Sequence, residues 1–169
     1  MDQQRQSFDR DLTALIPRLR RFAHSLSRDW AHADDLAQMA LERALRSRGQ
    51  WRPGTRLDSW LFKITRNLWI DTVRAGARRG KVEASAQEAE TIGEDPRDAI
   101  EASLDLNRAM AAMQRLPDEQ REVIALILIE GFGYREAAEV LELPIGTVSS
   151  RLVRGRTALL SMLQGEAND

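Results

Sequence analysis

Between residues 8 and 27 the apolar side chains Phe8, Leu12, Leu15, Ile16, Leu19, Phe22, Ala23 and Leu26 return every three or four positions. That spacing predicts one helix with a single buried stripe. Asp29 or Asp34 offers a cap for a second helix, with Leu36, Ala40, Leu41, Ala44 and Leu45 turned inward. The segment RGQWRPGTR (48–56) carries Pro53-Gly54, a turn signal. A third helix is expected from Leu57 to about Arg79, its apolar side made by Trp60, Leu61, Ile64, Leu68 and Val73. No stretch alternates apolar and polar residues long enough for a strand, so the expected fold class is all-α.

From Gly80 to Pro96 the pattern fails. GKVEASAQEAETIGEDP is rich in Glu, Ala and Ser and nearly free of large apolar side chains, so it cannot bury enough surface to offset its ordering entropy. It is expected to be a flexible acidic linker. Beyond it come a helix near 97–115, a break at Leu116-Pro117-Asp118, and helices near 118–130, 134–142 and 145–163. The chain is thus expected to form two small helical domains, 1–80 and 97–169, joined by residues 81–96. Ile70, Val73 and the helix bearing Met110 and Met113 offer a surface on which the two could close.

The second domain has a plan with chemical meaning. The short helix from Tyr134 to Leu141, the turn Leu143-Pro144-Ile145-Gly146 and a longer helix follow the helix-turn-helix order. On the last helix Val148, Leu152, Gly155 and Leu159 share one face, and Thr147, Ser150, Arg151 and Arg154 share its neighbour. Hydroxyls and guanidinium groups in the first half of such a helix suit contacts to phosphates and base edges of duplex DNA.

Composition narrows the class. Of 169 residues 43% are hydrophobic and 30% charged, there is no cysteine, and no apolar run approaches the ~20 residues that span a bilayer. The polar start, MDQQRQSFDRDL, lacks the apolar centre of a signal peptide. A cytoplasmic protein without disulfides is expected. The net charge of −1 hides an asymmetry: residues 1–81 hold 17 Lys/Arg against 9 Asp/Glu, residues 82–113 hold 2 against 8, and residues 114–169 hold 6 against 9. The basic front can attract phosphate or an acidic partner. Its third helix carries Lys63, Arg66, Asn67 and Arg74, preceded by Arg52 and Arg56, with Trp51 and Trp69 nearby. Cations beside aromatic rings suit a single strand whose bases leave the stack. Trp60 lies on the apolar stripe and is assigned to the core.

Enzyme chemistry finds little support. Asp34 and Asp35 are adjacent on a helix and point apart, His24 and His32 are isolated, and neither a Gly-rich phosphate loop nor a nucleophile elbow occurs. No cofactor and no metal are expected.

Six segments in register carry a family resemblance: DDLAQMALERAL (34–45), WRPG (51–54), WLFKITRN (60–67), LPDEQREVI (116–124), GFGYREAAEVL (131–141) and GTVSSRLVRGR (146–156). Together they resemble a bacterial sigma factor of the extracytoplasmic-function type, over roughly residues 12–163. The resemblance implies a region 2-like front domain, a region 4-like back domain, and a monomer that binds core RNA polymerase and promoter DNA under the control of an anti-sigma factor. It implies that Asp34, Asp35 and Gln38 dock on polymerase. It further implies that Trp51, Arg52, Arg56, Lys63, Arg66 and Asn67 serve the minus-ten element, and Thr147, Ser150, Arg151 and Arg154 the minus-thirty-five element. LRRFAHSLS (19–27) and EGFGYREAAEVL (130–141) lean toward the general-stress-response branch.

The chain departs from the family pattern at Met39, where Glu is frequent, at Ser149, where Lys is common, and at Gly155, which interrupts a helix at about 1 kcal/mol. Two rivals remain open at this stage. A conventional helix-turn-helix regulator would bind palindromic duplex unaided and would have no need of Trp51, Asn67 and a basic third helix. A sigma mimic would sequester an anti-sigma factor.

Overall fold

The computed structural model describes residues 2–78 and 98–166, and the expected linker at 81–96 lies outside them. Eight α-helices follow in chain order: α1 (Asp2–Ala14), α2 (Ile16–Ser27), α3 (Trp30–Arg46), α4 (Leu57–Arg78), α5 (Asp98–Arg115), α6 (Asp118–Ile124), α7 (Tyr134–Leu141) and α8 (Ile145–Glu166). Among the described residues there is no strand, and no helix is long and apolar enough to cross a membrane.

The single helix expected over 8–27 is two. The chain turns at Leu15, and Pro17 sits in the first turn of α2. Proline lacks an N–H and its ring collides with the carbonyl four residues back, so a continuous helix cannot run through it. α3 is capped by Asp29, whose carboxylate accepts the His32 amide at 2.8 Å. Its inner face is narrower than expected. Ala33, Leu36, Ala37, Ala40 and Ala44 are buried, while Leu45 is 46% exposed. The small alanines let α3 lie close on α2 and α4. On α4 the buried residues are Leu61, Phe62 and Thr65, with Trp60, Ile64 and Leu68 packed around them and Val73 turned to solvent.

In the back half, the helix expected over 118–130 ends as α at Ile124 and continues as a π-turn over Ala125–Ile129, closed by the Glu130 amide on the Ala125 carbonyl at 2.9 Å. The wider turn changes which residues face inward. Leu126 is buried, but Leu128 and Ile129 face outward, although the run VIALILI is apolar all round. Gly155 has a packing reason: a Cβ there would stand 3.0 Å from Ile124 Cγ1 and 3.3 Å from Gln120 Cβ. α8 thus lies so near α6 that a side chain would push on Ile124 and Gln120, which accounts for a glycine that lowers helix propensity.

The two halves share one core. Phe22 stacks on Phe62 with ring centroids 4.8 Å apart, and Phe62 meets Phe132 of the back half at 5.2 Å. Phe132 is 2% exposed, and burying such a ring contributes about 1.5–3 kcal/mol. The buried Arg121 guanidinium donates to the Ser25 carbonyl of α2, to Leu116 O at 2.8 Å and to Asp118 at 2.6 Å. The shared surface is therefore α2 and α4 against α6 and α7. Ile70 and Val73 line an open cleft facing Asp118, Glu119 and Glu122 of α6, not the helix of Met110 and Met113.

Candidate nucleic-acid interface

Three polar faces carry the residues singled out by the sequence. The first is on α3. Asp34, Asp35 and Gln38 fall at the i, i+1 and i+4 positions opposite the buried alanines, and all three are exposed. Arg20 of α2 holds Asp34 through two hydrogen bonds of 2.6 and 3.1 Å, and Gln38 donates to Glu42 at 3.3 Å.

The second face is the turn after α3 and the outer side of α4. Gly54, at φ +88°, supplies the left-handed backbone that lets the chain reverse into α4. Arg52 is exposed. Trp51 is half-buried against Phe8, with ring centroids 5.5 Å apart, and its buried indole N–H has no partner among the described residues. The ring thus joins the front core in this state. Arg56 is fixed on three sides: it donates to Asp58 at 3.0 and 2.7 Å, pairs with Glu136 of α7, and stands 5.0 Å over the Phe132 ring. Its hydrogen bond to Asp58, opposed by burial and helped by Glu136, holds the guanidinium above its ordinary pKa. Lys63 reaches Glu142 at 2.9 Å. Arg66 forms a two-pronged pair with Glu122 of α6 at 2.9 and 3.2 Å, both side chains almost buried. Asn67 is half-buried on the same helix.

The third face is on α8. Val148 and Leu152 are buried, Gly155 meets α6, and Leu159 packs on the core, as the periodicity predicts. Ser150 and Arg154 are exposed and Thr147 is half-buried. Arg151 differs from its neighbours: it folds back to Glu119 at 2.9 Å and Glu122 at 3.8 Å, leaving 18% of its side chain exposed. The turn before α8 passes through Glu142 at φ +53°.

Sequence reasoning missed the residues that join the halves. Arg18 donates to Asp58 at 3.1 Å and to Glu130 at 2.9 Å, Arg21 reaches Glu130 at 3.2 Å, and the Glu130 carboxylate is 1% exposed. An acid closing the apolar run VIALILIE was the available signal, since a buried carboxylate requires a cation. Among the described residues no group of three or more His, Asp or Glu side chains is placed to hold a metal ion.

Comparison with known proteins follows the same division. The family described as Sigma-70 region 2 matches residues 12–79, and that described as Sigma-70, region 4 matches residues 106–159. The chain is 40% identical to the ECF RNA polymerase sigma factor EcfG of Rhodopseudomonas palustris over 90% of its own length and 83% of that protein's. It is 35% identical to the ECF RNA polymerase sigma factor SigE of Mycolicibacterium smegmatis over 96% of its length and 64% of that protein's. Among solved structures it resembles the sigma factor RpoE in complex with the anti-sigma factor NepR from Bartonella quintana, with a TM-score of 0.80 and 33% identity, covering 94% of this chain and 98% of that one.

Proposed function

This chain belongs to the extracytoplasmic-function sigma factors of RNA polymerase, and from that premise we propose which of its faces does which part of promoter recognition. Asp34, Asp35 and Gln38 on the outer face of α3 dock on core polymerase. The turn Trp51–Arg56 and the α4 residues Lys63, Arg66 and Asn67 hold the minus-ten element as its strands separate. Thr147, Ser150, Arg151 and Arg154 read the minus-thirty-five element in the major groove. The observation that carries this reading is the division of labour: each half carries its own polar face, and the face of α8 follows a short helix and a turn in helix-turn-helix order.

No bond-making step falls to this chain. Polymerase performs the chemistry, and the sigma factor positions DNA. Binding through two linked modules raises the effective concentration of each at its element, so neither face needs high affinity alone. Residues 1–80, 81–96 and 97–169 are the front module, the tether and the back module. The likeness to RpoE held by NepR supports a protein anti-sigma factor as the partner that keeps this chain from polymerase, acting in the cytoplasm.

The test is co-elution of the purified chain with bacterial core RNA polymerase on a sizing column, beside an Asp34→Lys/Asp35→Lys variant. Stoichiometric co-elution that the variant loses is the expected result. Failure to co-elute, together with tight binding to duplex DNA by the chain alone, would replace this reading with that of a conventional regulator.

A further inference from the structure

We propose that the back half inhibits the front half in cis: Glu122, Glu136 and Glu142 occupy the places of DNA phosphates on Arg66, Arg56 and Lys63, so that the free chain masks its own minus-ten surface. The inference rests on the assignment of those three cations to DNA. Each of them meets one carboxylate of the other half, Arg66 with Glu122 at 2.9 Å, Lys63 with Glu142 at 2.9 Å and Arg56 with Glu136. A glutamate carboxylate presents two oxygens to a guanidinium in the same fork geometry as a phosphate.

Two further observations make this more than surface pairing. Glu122 also reaches Arg151 of α8 at 3.8 Å. One carboxylate therefore joins a cation from each DNA-facing surface; a chain that opens frees Arg66, while Arg151, on the same half as Glu122, keeps its partners. The backbone carries the second observation. Among the described residues only Arg28 and Glu142 are non-glycine residues at positive φ, +62° and +53°. Such a conformation costs an L-residue roughly 1–2 kcal/mol, and strain of this kind gathers at switches. Both side chains pair across the halves, Arg28 with Asp118 at 2.6 Å and Glu142 with Lys63. Glycine would sit at either place without strain, but it would carry no side chain across the boundary.

The charge asymmetry of the sequence then has a use. Basic residues 1–81 and acidic residues 114–169 are complementary faces of one closed molecule. The pairs at Lys63 and Arg56 are partly exposed and contribute little individually. Arg66 with Glu122 is shielded and holds more firmly, and the Phe62–Phe132 contact adds an apolar hold beneath them. A partner that pulls the halves apart, or one that stabilises their contact, would thus set the affinity for DNA.

The chain has no native cysteine, so a dye pair placed by Asp11→Cys and Leu160→Cys, both exposed, reports the separation of the halves. A Glu122→Gln/Glu136→Gln/Glu142→Gln variant removes the masking charges, and a second variant adds Phe132→Ala to remove the apolar hold. An Asp9→Asn/Asp11→Asn/Glu42→Gln chain, altered at exposed acids away from the boundary, matches the charge change in binding assays; circular dichroism establishes that each variant is folded. The probe is a fluorescent single-stranded oligonucleotide at low salt. The expected result is lower energy transfer and at least tenfold tighter oligonucleotide binding in one or both release variants, beyond any gain in the charge-matched control. Unchanged energy transfer in both would overturn the latch. Reduced transfer with no gain in binding beyond the control would overturn the masking, and would place the fault with the DNA assignment of Arg56, Lys63 and Arg66.

Discussion

The polar faces of α4 and α8 are built from similar residues and end in opposite states. On α4 and the turn before it, Arg56, Lys63 and Arg66 are each tied to a carboxylate of the other half. On α8, Ser150 and Arg154 stand in solvent, and Arg151 alone is drawn back toward α6. The difference comes from what lies opposite. α4 packs on α2 and α3 from one side and meets α7 from the other, so its cations are enclosed between two layers. α8 covers α5, α6 and α7 with its apolar face only, and among the described residues its polar face has no layer above it. Composition alone does not decide whether a basic helix is available to nucleic acid; its place in the stack does.

The largest expected effect breaks the layer that encloses α4. Phe62→Ala removes a ring in contact with both Phe22 and Phe132 and is expected to cost about 3–5 kcal/mol in denaturant unfolding. Val153→Ala on the open side of α8, at a residue 62% exposed, is expected to stay within about 0.5 kcal/mol. Equal losses at the two sites would contradict the enclosed-versus-open distinction.

A smaller effect sharpens the packing of α8. Gly155→Leu places a side chain where a Cβ already meets Ile124 and Gln120, and overpacking of this kind costs about 1–3 kcal/mol. The loss is expected as a lower melting temperature, with the polar face of α8 untouched. A variant as stable as the parent would show that α6 yields there.

Next comes a contrast in binding. In the free chain Arg154→Ala is expected to weaken binding to duplex DNA and to lower the salt slope by about one counterion. Arg66→Ala is expected to leave duplex binding nearly unchanged, because Arg66 is occupied by Glu122. Fluorescence anisotropy across a salt series reads both; equal losses would show that α4 is open in solution.

The smallest effect in the physiological range is that of acid. Burial pushes the Asp58 carboxyl up, but hydrogen bonds from Arg56 and Arg18 outweigh it and leave its pKa below the ordinary value of 3.8; Asp118 behaves likewise with Arg121 and Arg28. A carboxylate with a depressed folded pKa stabilises the fold above its unfolded pKa, and that contribution is lost as pH falls through the folded value. These two groups therefore predict no loosening from pH 7 to about 4 and progressive loosening below it. Unfolding followed by circular dichroism during acid titration checks the window. A transition centred near pH 6 would assign the loss of stability to other groups.

What the sequence made legible was local. The inner face of α8 could be read because Val148, Leu152, Gly155 and Leu159 repeat at helical spacing, and the Asp29 cap because a short acid precedes a periodic run. The break at Leu15 was also written there, in Pro17, and the strength of the apolar stripe concealed it. The π-turn was not legible, because an all-apolar run gives no period to follow. Least legible was the contact between halves: Arg18 and Glu130 lie 112 residues apart, and no local pattern joins them. Trp51 shows the same limit. Its place beside Arg52 and Arg56 suited a base contact as well as a core role, and only the fold brings Phe8 against it.

The account depends above all on this chain directing polymerase to promoters. The most direct measurement is run-off transcription by bacterial core RNA polymerase on fragmented genomic DNA of a related bacterium, with and without the purified chain, followed by sequencing of the RNA 5′ ends. The account predicts new start sites that share two upstream elements, and their loss with Arg154→Ala or with Asp34→Lys/Asp35→Lys. Start sites identical to those of core polymerase alone would contradict it.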